Sequence, residues 1–147
     1  MSAPFHRPGT RSLDRTEIAL GDPEFVGRLL QRACDEIYEV GHAVMTSRDG
    51  LVVASDTASA GVDGGDSVAM RGSAMAAAAI GIGDHFTGLL HQGRLQSTVF
   101  EADRGCVGVF PVSSTLLLVV TSTPGVNLGR FNAAAKRVLG MLLAPTY

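Results

Sequence analysis

The segment from Asp66 to His91 places the strongest constraint on the fold. It reads as one long helix almost free of charge. Arg71 and Asp84 are its only residues charged at neutral pH, with His85 and His91 near its end. Wound at 3.6 residues per turn, Val68, Met75, Ala79, Ile82, Phe86 and Leu90 form one apolar stripe. Met70, Ala77, Gly81 and Gly88 fall on the opposite side, with Ala74 beside them. A surface helix is polar on its outer side, whereas one that is apolar all round is normally buried. A chain of 147 residues can hardly bury both sides of such a helix within itself, so the second side is expected to meet another chain. Gly72, Gly81, Gly83 and Gly88 sharpen the expectation. Each costs about 0.8–1 kcal/mol relative to alanine in a helix interior. Close backbone approach offsets such a cost, either against a second helix or in a tight slot between a sheet and another layer of the same chain. Self-association is the favoured expectation.

Composition narrows the function classes. Hydrophobic residues make up 46 % and charged residues 18 %, a globular balance rather than a disordered one. Net charge is −2 and no run of Lys or Arg is present, so a nucleic-acid footprint is not expected. The longest charge-free apolar run of the helix, Gly72 to Gly83, is shorter than the ~20 residues a membrane crossing needs, and no direct membrane insertion is expected. Cys34 and Cys106 stand far apart and outside any CxxC pair, as small core-type residues of a reducing compartment do. The start of the chain lacks the apolar stretch of a signal peptide. The expected location is the cytoplasm, with any membrane recruitment left to partners.

Along the chain, residues 1–21 read as a flexible lead-in and residues 22–144 as one domain. Asp22 caps a helix with Pro23 at its first position. Phe25, Val26, Leu29, Leu30, Ala33, Ile37 and Val40 lie on its apolar face, and Gly41 is the expected stop. His42–Ser47 and Leu51–Ser55 read as strands around the hairpin turn Asp49-Gly50. A polar Gly/Ser/Asp loop leads to the long helix, with Asp66 as its cap. Arg94–Ala102, Cys106–Val112 and Thr115–Thr121 read as three further strands. Leu116–Val120 is apolar at every position, the mark of a strand covered on both faces. Asn127 then caps a last helix with Leu128, Phe131, Ala135, Val138, Leu139 and Leu142 on one face. The order α-β-β-α-β-β-β-α, with tight turns between strands, implies an α+β fold: a five-stranded, mainly antiparallel sheet sandwiched by helices.

The run His42-Ala43-Val44-Met45-Thr46-Ser47-Arg48-Asp49-Gly50-Leu51-Val52-Val53-Ala54 follows an amphipathic helix. Val99-Phe100-Glu101-Ala102-Asp103-Arg104-Gly105 leads into Val107–Val120, and Pro124–Leu128 breaks into the final helix. With these features, over about residues 23–143, the chain resembles the Roadblock/dynein light chain domain family, close to its actinobacterial members. The resemblance implies a Roadblock/profilin-like sandwich and a non-enzymatic homodimer. In such dimers two sheets join through their third strands and two long second helices pack together. The joining strand would be Arg94–Ala102. Together with the small-residue side of the long helix, this gives an expected homodimer interface of Met70, Ala74, Ala77, Gly81, Gly88, Gln96 and Thr98. The resemblance also implies binding to a Ras-like small GTPase, as an activating protein or a signalling scaffold, and a sensor-kinase-like protein as a further partner. The N-terminal lead-in and the Gly61–Asp66 loop depart from the family pattern.

Searches for chemistry return little. There is no Walker pattern and no GxSxG elbow. Gly81-Ile82-Gly83 has Phe86 where a dinucleotide fingerprint needs glycine, and it lies inside a helix. His85 and His91 are six positions apart and do not share a helix face, and no His/Cys/Asp cluster has ligand spacing. Neither a metal nor a cofactor nor a catalytic residue is expected. Arg48 and Arg104 sit in turns from which an arginine finger could reach a nucleotide, but they read as solubilising turn residues. The competing reading is a small-molecule-sensing or general adaptor module, which needs a pocket with convergent polar groups.

Overall fold

The computed structural model describes residues 20–56 and 63–144. The expected lead-in lies outside these residues except for its end, where Leu20 is already part of the core. Helix α1 spans Pro23–Glu36. The Asp22 carboxylate accepts from the Glu24 and Phe25 amides at 3.1 and 3.4 Å, and Pro23 occupies the first turn where no amide hydrogen is needed. The helix ends at Glu36, not at Gly41. The Ile37 and Val40 amides close a turn onto Ala33 and Ile37, and the chain is already in strand β1, Val40–Ser47, when it reaches Gly41. There the register against a neighbouring strand shifts, and a Cβ would stand 2.9 Å from the Ser122 carbonyl oxygen. This glycine serves a β-bulge rather than a helix end.

Strand β2 is Val52–Ser55, and α2 runs from Asp63 to Leu89, three residues earlier than its expected cap. Strands β3 (Thr98–Glu101), β4 (Cys106–Pro111) and β5 (Leu116–Ser122) precede α3, Leu128–Leu143. The Asn127 side chain caps α3 by accepting from the Arg130 amide at 2.9 Å. The strands form one antiparallel sheet in the order β2-β1-β5-β4-β3. Its central strand, β5, holds the all-apolar run, with Leu117, Leu118, Val119 and Val120 buried.

Period-2 alternation divides the core between two faces. Ala43, Met45, Phe110, Leu118 and Val120 join Val26, Leu30, Phe131 and Val138 in the larger core beneath α1 and α3. On the other face Val109, Leu117 and Val119 form a smaller cluster with Ala76 and Ile80 of α2 among the described residues, with Val44 and Leu95 at the margin. Helix α2 touches all five strands but has a thin seat on them. This imbalance creates the surface described next.

Candidate interaction surface

The seam that α2 gives to the sheet is narrow: among its described side chains, Ser73, Ala76 and Ile80 are the buried ones. The stripe of larger residues lies outside. Val68, Met75, Ile82 and Phe86 are 65, 71, 72 and 60 % exposed. The sheet prefers small residues at the crossing because they let the helix axis come close; bulky side chains are displaced to the flank. Phe100 and Val107 on the sheet are also exposed beside this flank. Together they border an open groove of about 850 Å³ between α2 and the sheet. Its floor includes Val44, Val109 and Val119, and its polar end holds His42, Ser55, Asp56 and Thr121.

The residues expected to form a homodimer interface are split by the structure. Ala77 is half-buried and Ala74 lies at the turn after β1, where a Cβ on Gly50 would stand 3.2 Å from the Ala74 Cα and 3.6 Å from the Ala77 Cβ. Ala74 itself is exposed, and its contact with the turn is through backbone, whereas Ala77 meets the turn through its side chain. Met70, Gly81, Gly88 and Gln96 are exposed, and Thr98 is half-buried at the start of β3. Among the described glycines of α2, Gly83 has a close approach of its own: a Cβ there would come within 2.7 Å of Leu95 Cδ2. Around Gly72, Gly81 and Gly88 nothing lies within 4 Å of an added Cβ, so the described residues do not offset their helix cost.

Strand β3 is shorter than the alternation Arg94–Ala102 suggested. Leu95 is not paired in the sheet; its amide donates to Asp84 Oδ1 at 3.0 Å and its side chain packs beside α2. Asp84 thus fastens the loop after the helix. Just before, α2 ends with His91 in the left-handed region at φ 60°, where the His91 and Gln92 amides donate to the Gly88 and Thr87 carbonyls. Beyond it, β3 pairs only with β4, leaving its other edge open, as β2 does at the far side of the sheet.

Polar clusters serve the fold. The Arg48 guanidinium donates to the Ser113 carbonyl oxygen at 3.2 Å, joining two turns. Arg130 bonds Glu39 at 2.9 Å, tying the start of α3 to β1 and holding the Glu39 carboxyl below its ordinary range. Asp56, nearly buried, accepts from the Ala43 amide at 3.1 Å and pairs with His42 Nδ1 at 3.2 Å. Cys34 lies against it from α1. Burial, then the Asp56 charge and the hydrogen bond its carboxylate accepts, push the thiol up to about 12. These three residues do not make a nucleophile, because the thiolate is suppressed rather than favoured. Alkylation of Cys34 by iodoacetamide at pH 8 is expected to run roughly 10³-fold slower than that of an unstructured cysteine. A rate within tenfold of the free thiol would contradict the Asp56 contact. The folded value lies above the unfolded one, so the stabilisation from this thiol is complete below about pH 9 and declines as pH rises toward 12. Among the described residues no three His, Cys, Asp or Glu side chains are placed to hold a metal, and no helix is long and apolar enough to cross a membrane.

A five-stranded antiparallel sheet with two helices on one face and one long, outwardly apolar helix on the other defines a layered α+β domain that displays a helix. The fold is that of the Roadblock/LC7 domain. A Roadblock/LC7 domain from Streptomyces avermitilis superposes with a TM-score of 0.63 at 20 % identity, covering 77 % of this chain and 90 % of that one. The gliding protein MglB from Thermus thermophilus gives 0.65 at 20 % identity, over 82 % of this chain and 87 % of its own. An MglB structure described as having a tetrameric arrangement gives the same 0.65, 20 %, 82 % and 87 %. No protein-family model and no curated protein sequence matches the chain.

Proposed function

We propose that this protein is a homodimeric, non-enzymatic regulator or scaffold of a Ras-like small GTPase. The observation that carries the reading is the long helix α2, seated on a Roadblock-type sheet, among its described side chains, by three buried residues, with its large apolar residues Val68, Met75, Ile82 and Phe86 outside. An exposed apolar surface of this extent marks a contact with another macromolecule. Two flanks of α2 are open to a second copy: the small-residue ridge of Met70, Gly81 and Gly88, continued by Gln96, and the large-residue flank beside the groove. The open edge of β3 is available to extend the sheet. The assignment of a small GTPase as partner rests on the family resemblance of residues 23–143, and that of a sensor-kinase-like protein on the same ground.

Mixing the full chain with a Ras-like small GTPase from the same organism, loaded with GDP or a non-hydrolysable GTP analogue, is expected to give a complex that favours one nucleotide state. Sedimentation or gel filtration reads it. An accelerated hydrolysis rate makes the protein an activating one, and an unchanged rate makes it a scaffold. No complex in either state removes the GTPase from the reading.

One observation favours a second reading, a small-molecule sensor. The groove has the volume of a ligand site, and Ser73, 1 % exposed, lines it with an Oγ that has no hydrogen-bond partner among the described residues. Native mass spectrometry of freshly purified protein tests it: a bound small apolar molecule supports the sensor, and an empty protein disfavours it.

A further inference from the structure

We infer that the groove beside α2 binds a long-chain aliphatic amine, its tail along the helix and its cationic head at the end that holds Asp56. This deepens the sensor reading above and rests on it. The walls define the tail. On α2 the lining runs from Val68 to Ile82, about 21 Å at a rise of 1.5 Å per residue, and Ser73 is its one polar member among the described residues. Opposite lie Val44, Val107, Val109 and Val119 of the sheet. A trough of that length and about 850 Å³, apolar on both sides, suits an extended chain better than a compact ring.

Two observations give the occupant a polar group. Ser73 is 1 % exposed, lines the groove and has an Oγ without a partner among the described residues. A buried hydroxyl with unused hydrogen-bonding capacity is costly, and it marks a space that holds a molecule with a polar atom rather than a dry packing gap. The sign of the head follows from the polar end. Asp56 is the one described lining residue with a full charge at neutral pH, and none of the described lining residues is Lys or Arg. Its side chain is 9 % exposed; Oδ1 accepts from the Ala43 amide and Oδ2 meets His42 Nδ1. A neutral His42 with its proton on Nδ1 toward Asp56 presents Nε2 as a further acceptor. Thr121 Oγ1 accepts from the His42 amide at 3.0 Å. An ammonium head, which has donors only, meets acceptors here, whereas a carboxylate head would meet a like charge.

Isothermal titration of the full chain with dodecylamine, dodecanol and dodecanoate, each below its micelle concentration, tests the inference. The expected result is one saturable site per chain for the amine and at least ~10-fold weaker binding of the carboxylate. Across octylamine, decylamine and dodecylamine, affinity is expected to rise roughly 2–4-fold per methylene. Gly72→Leu supplies the variant. Gly72 lines the groove, an added Cβ there meets no atom within 4 Å, and leucine is the better helix former, so the fold is retained and thermal unfolding checks it. Its side chain fills the trough, and the amine is expected to bind at least ~10-fold more weakly. The comparison of heads on the unaltered chain does not depend on the variant. A carboxylate or alcohol that binds as tightly as the amine overturns the cationic head and leaves the sensor reading standing. Amine binding untouched by Gly72→Leu places the molecule outside the groove and overturns the inference. No saturable binding of any probe overturns the ligand class and the sensor reading together, whether or not light scattering then shows a second copy over the groove.

Discussion

Replacement of Phe131 by alanine is expected to lower the free energy of unfolding by about 3–5 kcal/mol, measured by urea denaturation. The ring is fully buried, and it projects from α3 onto the sheet. At Gly108 on β4, an added Cβ would come within 2.9 Å of Phe131 Cε2 and within 2.6 Å of the Phe110 ring. The two rings therefore occupy the space above a residue that has no side chain. Deleting one leaves a void bounded by backbone and by Phe110, which cannot fill it without leaving its own site. The cost is transfer free energy plus a cavity that does not collapse. It should be confined to the α1/α3 face: the folded fraction of Phe131→Ala is expected to retain the association behaviour of the parent, since α2 lies on the other face. A loss below about 1.5 kcal/mol would mean that this core repacks freely, contrary to the close approach at Gly108.

Gly50→Val tests how α2 is seated. Gly50 has φ +89°, so a branched residue there costs roughly 1–2 kcal/mol from conformation alone. The new Cβ would also stand 3.2 Å from the Cα of Ala74, which is backbone and cannot swing away. The helix must shift, adding on the order of 1–3 kcal/mol. The expected total is about 2–5 kcal/mol, from thermal or urea unfolding. Gly93→Val is the control. Its φ is +92°, but nothing lies within 4 Å of the added Cβ, so only the conformational part applies. Equal losses for the two variants would show that the turn after β1 does not brace α2.

The parts of the fold that could be read from sequence are those set by short-range rules. Asp22-Pro23 starts a helix because an aspartate side chain satisfies amides that have no partner and proline has none to satisfy. Asp49-Gly50 turns the chain, and Gly50 does adopt the positive φ that a tight hairpin turn requires. The all-apolar Leu116–Val120 marks a strand covered on both faces, and β5 is the central strand. Where periodicity was followed without such a local rule it ran too far. The alternation of Arg94–Ala102 continues through Leu95, yet pairing begins only at Thr98, because Asp84 and the seat beside α2 claim Leu95 first. Gly41 looked like a helix stop and is a bulge, since a glycine after a helix and one inside a strand carry the same local signature.

The candidate surface was half legible for a related reason. That α2 has more apolar surface than its own chain can cover follows from its residue types alone. Which stripe stays outside does not. A helix that is apolar all round has no polar side to point to water, so the pattern does not favour one rotation over another. The sheet makes the choice by volume: Val109, Leu117 and Val119 leave room for Ser73, Ala76 and Ile80 at close approach.

By itself, then, the amino-acid order determined the succession of elements, the caps and turns between them, and the presence of a long helix apolar on more than one side. Each of these depends on neighbours within a few positions. Only the tertiary structure decided which flank of that helix faces outward, that α2 passes close to the Gly50 turn at Ala74 and Ala77, and that Phe100 and Val107 border a groove beside it. Those outcomes depend on how side-chain volumes from distant strands fit under one helix, and that fit exists only once the sheet has assembled.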